Sequence, residues 1–219
     1  MSFFRQLMEK SWENAGSAQL EGAAGPRLRS PAPRVGLVVF LCVVTVLFTL
    51  LIAAYAERMA FEDWRPTPQQ WLLWLNTALL VMSSIAFQWA VVSVRRGRVD
   101  DTALGLIGAG FFAFAFLLGQ LWAWRQVSAT IGFDIAEPAI AFFYLITGLH
   151  GLHLLGGLVA WSRAIAELWH DPDMDRLARQ VRLCATYWHF LLVLWLILFG
   201  LLFSGEDNLG FLLALCGLR

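Results

Sequence analysis

Five uninterrupted apolar stretches dominate this chain, over approximately Val35 to Tyr55, Trp71 to Val94, Ala103 to Trp124, Pro138 to Trp161 and Leu183 to Phe203. Each meets the roughly 20 apolar residues that a helix needs to cross a bilayer. The sequence therefore predicts an all-α, polytopic membrane protein, with five transmembrane helices bundled over residues 35–203. Composition agrees: charged residues are 15% of the chain, against about a quarter in a soluble domain. Its 11 tryptophans suit the membrane–water interface. The net charge of zero gives no reason to expect a nucleic-acid partner.

Charges in the connections predict an orientation. Arg27, Arg29 and Arg34 precede the first span. Arg95, Arg96 and Arg98 link the second to the third, and Arg163, Arg176, Arg179 and Arg182 link the fourth to the fifth. The other two connections hold only Arg58 and Arg65, and Arg125. The positive-inside rule then places the N-terminus in the cytoplasm and the C-terminus on the periplasmic side. Residues 1–34 are expected to form a polar cytoplasmic arm with a short helix over 2–14. The first apolar run is too late and too long for a secretory signal. Residues 204–219 are expected to form a short periplasmic or interfacial tail. Cys42, Cys184 and Cys216 show no Cys-x-x-Cys spacing, so neither a disulfide framework nor a thiolate metal site is expected.

Polar side chains within the spans are costly and so have a function or a partner. His150 and His153 share a helix face, and His189 lies near the start of the fifth span. His170 sits in a polar loop and reads as solvated. One reading is a haem held between two helices by His150 or His153 with His189. The other, which we favour, is histidines that hydrogen-bond between helices. Gly148, Gly151, Gly156 and Gly157 form a small-residue stripe that lets helices approach closely. The glycines and phenylalanines of the third span suit packing or a surface grooved for lipid tails. Ser83, Ser84, Gln88 and Gln120 suit interhelical hydrogen bonds. Asp and Glu occur only near span ends and in links, so no intramembrane carboxylate relay is present. With no nucleophile–base pair, phosphate loop or redox motif in view, the chain reads as a scaffold.

Four motifs, in order, carry a family resemblance. The strongest is Thr147-Gly148-Leu149-His150-Gly151-Leu152-His153, followed by Gly156-Gly157. The others are Tyr187-Trp188-His189-Phe190 with Trp195, Trp74-Leu75-Asn76-Thr77 with Ser83-Ser84 and Trp89-Ala90, and Gly119-Gln120 with Trp124. Together they resemble subunit III of the haem-copper respiratory oxidases, in its short five-helix bacterial form. Three positions depart from that family, which usually carries acids there: Val44, Ala123 and Leu192 are apolar here. The chain thus resembles a divergent member, and a direct proton role for it is in doubt.

The resemblance implies an accessory subunit of a proton-translocating cytochrome c or quinol oxidase in the bacterial inner membrane, part of an aerobic respiratory chain. It implies direct contact with subunit I, a complex that includes subunit II, and bound phospholipid. Haem and copper would belong to partner subunits. This chain would hold no catalytic, cofactor-binding or metal-ligating residue; His150, Gly151, His153, Gly156, Gly157, Tyr187, Trp188, His189, Asn76 and Gln120 would serve as family signature and packing residues. Two alternatives stay open: a subunit III-like protein of a nitric oxide reductase system, and a free-standing membrane haem protein.

Overall fold

The computed structural model describes residues 32–59, 61, 71–131, 138–169 and 173–203. It contains α1 (Ala32–Met59), α2 (Trp71–Arg95), α3 (Val99–Ile131), α4 (Pro138–Trp169) and α5 (Met174–Phe203). All five helices are long and apolar enough to cross a membrane. Most of the arm, the tail over 204–219 and His170 lie outside the described residues.

Several helices run past the apolar stretches that predict them. α4 continues eight residues beyond Trp161, and α5 starts nine residues before Leu183. At 1.5 Å per residue α4 is about 48 Å long, well over the roughly 30 Å of a hydrocarbon core. The α4–α5 hairpin is thus longer than an untilted crossing of that core requires. An apolar seam holds this extension: Ala164, Ile165 and Leu168 of α4 are buried, as are Leu177 and Val181 of α5. Arg176 pairs with Glu167 across it at 3.3 Å.

Local chemistry sets the helix ends. Pro138 opens α4, where a missing N–H costs nothing. The carboxylate of Asp173 caps α5 by accepting from the backbone N–H groups of Asp175 and Arg176 at 3.1 and 3.3 Å. α2 closes through Gly97, whose φ of 71° is left-handed. Arg98 N–H reaches back to Ser93 C=O at 3.1 Å and Gly97 N–H to Val94 C=O at 3.2 Å, so the chain reverses within three residues into α3.

α2, α3, α4 and α5 form a closed antiparallel ring in which each packs on the next and α5 returns to α2. Glycines let the helices close up. A Cβ on Gly105 of α3 would lie 2.9 Å from the Ala90 nitrogen of α2. One on Gly110 of α3 would lie 2.3 Å from the Trp161 ring of α4, and one on Gly157 of α4 would lie 2.9 Å from both Tyr187 and Trp188 of α5. α1 lies outside the ring. Its buried Val44, Phe48 and Tyr55 pack with Ala139 and Ile146 of α4 and Leu194 and Leu198 of α5.

The antiparallel ring brings the Arg-rich α2–α3 and α4–α5 connections to one end. Ring contacts of Phe40 with His153 and Tyr187, and of Tyr55 with Phe142, align α1 antiparallel to α4, so Gly36 starts at that same end. Outward-facing positions are large and apolar on every helix, for example Leu50, Ile85, Phe111, Leu152 and Ile197. A water-soluble bundle shows the opposite pattern.

Gly110→Ala should lower the stability of the purified protein by about 1–3 kcal/mol, because the new methyl displaces the Trp161 ring. Gly156→Ala should leave it nearly unchanged, since nothing lies within 4 Å of that site. Thermal unfolding in detergent, read by tryptophan fluorescence, compares the two.

Candidate functional site

The signature residues meet in the interior of the ring. The Asn76 amide of α2 donates to Gln120 Oε1 of α3 at 3.1 Å, and both side chains are buried. This brings α3 so close that a Cβ on Gly119 would lie 2.1 Å from Asn76 Oδ1. Thr77, the next residue of α2, accepts from the Trp195 indole of α5 at 3.0 Å and donates to its own helix at Leu73 C=O. Trp195 in turn stacks at 5.1 Å against the His150 ring of α4, and Phe116 of α3 meets both rings edge-on. All four ring helices thus contribute to one layer built from neutral groups.

Further indole and phenol groups join neighbouring helices. Trp124 donates to Thr147 at 3.0 Å, Tyr144 to the Trp124 carbonyl at 3.1 Å, and Trp161 to the Leu106 carbonyl at 2.8 Å, all between α3 and α4. Tyr187 of α5 donates to the His153 carbonyl of α4 at 2.8 Å. Trp188 is fully buried against Phe87 of α2, with ring centroids 4.7 Å apart. Ser83 donates to the Ala109 carbonyl at 2.8 Å. Gly148 faces the Trp124 ring, Gly151 makes only an ordinary contact with Leu117, and Gly156 faces open space.

The three described histidines occupy three different settings. His150 is fully buried between Phe116 and Trp195, and neither ring nitrogen has a hydrogen-bond partner among the described residues. His153 donates from Nδ1 to the Leu149 carbonyl of its own helix at 2.8 Å. Its ring lies beside Phe40 and Phe48, where it helps seat α1. His189 alone among them bonds another helix through its ring. Its Nδ1 accepts from the Ser84 hydroxyl of α2, and its Nε2–H donates to Gln88 Oε1 at 3.3 Å. Ser84 and His189 are 105 residues apart, so no local spacing could reveal this serine–histidine pair. It lacks the features of a nucleophile: Ser84 is buried, and an amide oxygen occupies the place of an orienting carboxylate. Among the described residues, no group of three or more His, Cys, Asp or Glu is arranged to hold a metal ion.

A family model described as cytochrome c oxidase subunit III matches residues 20–205. The chain belongs to this cytochrome c oxidase subunit III family. Among its relatives is a probable cytochrome c oxidase subunit 3 of Mycobacterium tuberculosis (strain ATCC 25618 / H37Rv). It is 29% identical over 175 residues, covering 77% of this chain and 86% of the relative. The corresponding Mycobacterium leprae protein is 31% identical over 174 residues, with 77% and 86% covered. A haem-copper oxidase subunit I+III of Aeropyrum pernix is 29% identical over 129 residues, 58% of this chain and 16% of that much longer protein.

Where the resemblance leads one to expect acids in a subunit III, this member has apolar side chains in apolar surroundings. Val44 is 2% exposed and Ala123 fully buried. Leu192 is half-buried against the main core. An isolated carboxylate at either buried site would carry a large desolvation cost.

Gln120→Met should strand the Asn76 amide in the apolar interior and destabilise the protein by about 1–3 kcal/mol. Adding Asn76→Leu should recover part of that loss. A double-mutant cycle from unfolding midpoints measures the coupling, and strict additivity would show that the amide pair contributes nothing.

Proposed function

We propose that the chain is the accessory subunit III of a haem-copper terminal oxidase in aerobic respiration, seated in a bacterial cytoplasmic membrane. It holds no redox centre and stabilises the catalytic subunit. The match to the subunit III family over residues 20–205 carries this reading. Three further observations support it. The ring interior is joined by neutral hydrogen bonds among amides, hydroxyls and indoles, which suit a fixed scaffold. His150, His153 and His189 have separate surroundings, which disfavours a haem shared between them. The relative named as subunit I+III joins the two kinds of subunit in one chain, which supports direct contact with subunit I here.

The Arg-rich end is assigned to the cytoplasm by the positive-inside rule, with the N-terminus on that side and the C-terminus periplasmic. Phospholipid is assigned to the outer surface. An apolar groove of about 660 Å³ lies between α1 and α4, lined by Val43, Val46 and Leu50 with Leu145 and Leu149. A second of about 690 Å³ lies between α3 and α4, where Leu118 and Trp122 adjoin Arg125 and Tyr144. Aliphatic walls suit acyl chains, and Arg125 beside tryptophans suits a phosphate at the interface.

The chain, affinity-tagged and purified in mild detergent, should bring down a larger subunit carrying haem and copper, and native mass spectrometry should show retained phospholipid. His150→Leu should leave the haem content of that complex unchanged. A tagged chain that purifies alone with a Soret band, lost in His150→Leu, would overturn the reading.

A further inference from the structure

Polar side chains are few among the exposed positions of the described spans. Gln88 of α2 is exposed, on a helix face it shares with Ile85, which is 58% exposed. Across the seam stands His189 of α5, with Val193 one turn further on and 55% exposed. Gln88 Oε1 accepts from His189 and the side chain has no other partner among the described residues, so both N–H donors of its exposed amide are unpaired there. Three threonines exposed on the spans are satisfied by their own helices. Thr45, Thr49 and Thr186 each donate to the carbonyl four residues back. A carboxamide at the surface has no such outlet.

Depth makes this consequential. Arg95 lies seven residues beyond Gln88 on α2, and Arg182 lies seven residues before His189 on α5. Seven residues are about 10 Å of helix. The pair therefore sits inside the hydrocarbon region, about 10 Å in from the arginines that mark its edge. Lipid tails offer no acceptor there, and unpaired donors in a membrane face protein. The Ser84–His189–Gln88 chain also fixes the amide in place, because each bond orients the next.

We infer that the α2–α5 seam around Gln88 is the docking surface for a transmembrane helix of the catalytic partner, one that presents an oxygen acceptor to the Gln88 amide amid apolar side chains. The inference rests on the subunit III reading and adds to it which face of the bundle meets the partner. His189 acts as a positioning residue, holding Gln88 through its Nε2–H.

Photo-crosslinking in the intact complex tests it. A benzoylphenylalanine replaces Ile85 or Val193 at the seam, or Phe111 or Leu152 on faces of α3 and α4. The seam positions should crosslink to the haem-bearing subunit, and the α3 and α4 positions should not. Gln88→Leu should also lower the amount of this chain retained per haem several-fold after a detergent wash. Crosslinks from the seam to lipid alone or to a second copy of this chain would overturn the inference, as would crosslinks to the haem-bearing subunit only from Phe111 or Leu152. A chain that purifies with no haem-bearing subunit would instead defeat the subunit III reading itself.

Discussion

The close approach of α2 and α3 is the constraint on which the rest of the ring depends. In lipid there is little hydrophobic drive between helices, so association comes from contact packing and hydrogen bonds. Gly105 lets α3 meet the Ala90 backbone, and Gly119 lets Asn76 reach Gln120. That spacing leaves Thr77, next to Asn76, free to receive Trp195, which fixes the height of α5 against α2. Trp195 then sets the place of His150, and with it α4. One helix pair therefore determines the register of the other two.

α1 is attached differently. It touches the ring through Val44, Phe48 and Tyr55 and through the rings around His153, while most of its surface stays exposed. Val44, Phe48 and the rings around His153 hold it by side-chain packing. The α4–α5 hairpin thus serves twice: its inner face completes the ring, and the His153–Tyr187 side receives α1.

Much of this was legible in the sequence, for a physical reason. Span number and order follow from hydrocarbon thickness, which is a property of length and polarity. Pro138 marks its helix start because a proline lacks the N–H that a first turn leaves unpaired. The full lengths of α4 and α5 were not legible: their extensions are stabilised by a seam between the two helices, and their surfaces look polar when read singly. The histidines show the same limit. Sequence spacing placed His150 and His153 on one face, but could not show that one ring is sealed against Trp195 while the other bonds its own helix. Nor could it pair Ser84 with His189 across 105 residues. The apolar residues at Val44 and Ala123 were visible, but their burial was not.

The central claim is that this chain shapes and supports an oxidase while holding no redox centre. The most direct measurement is the visible absorption spectrum and metal content of the chain after detergent separates it from its complex. The account predicts a colourless, metal-free helical protein, with all haem and copper left in the remaining core. A Soret band or stoichiometric metal travelling with the separated chain would contradict it.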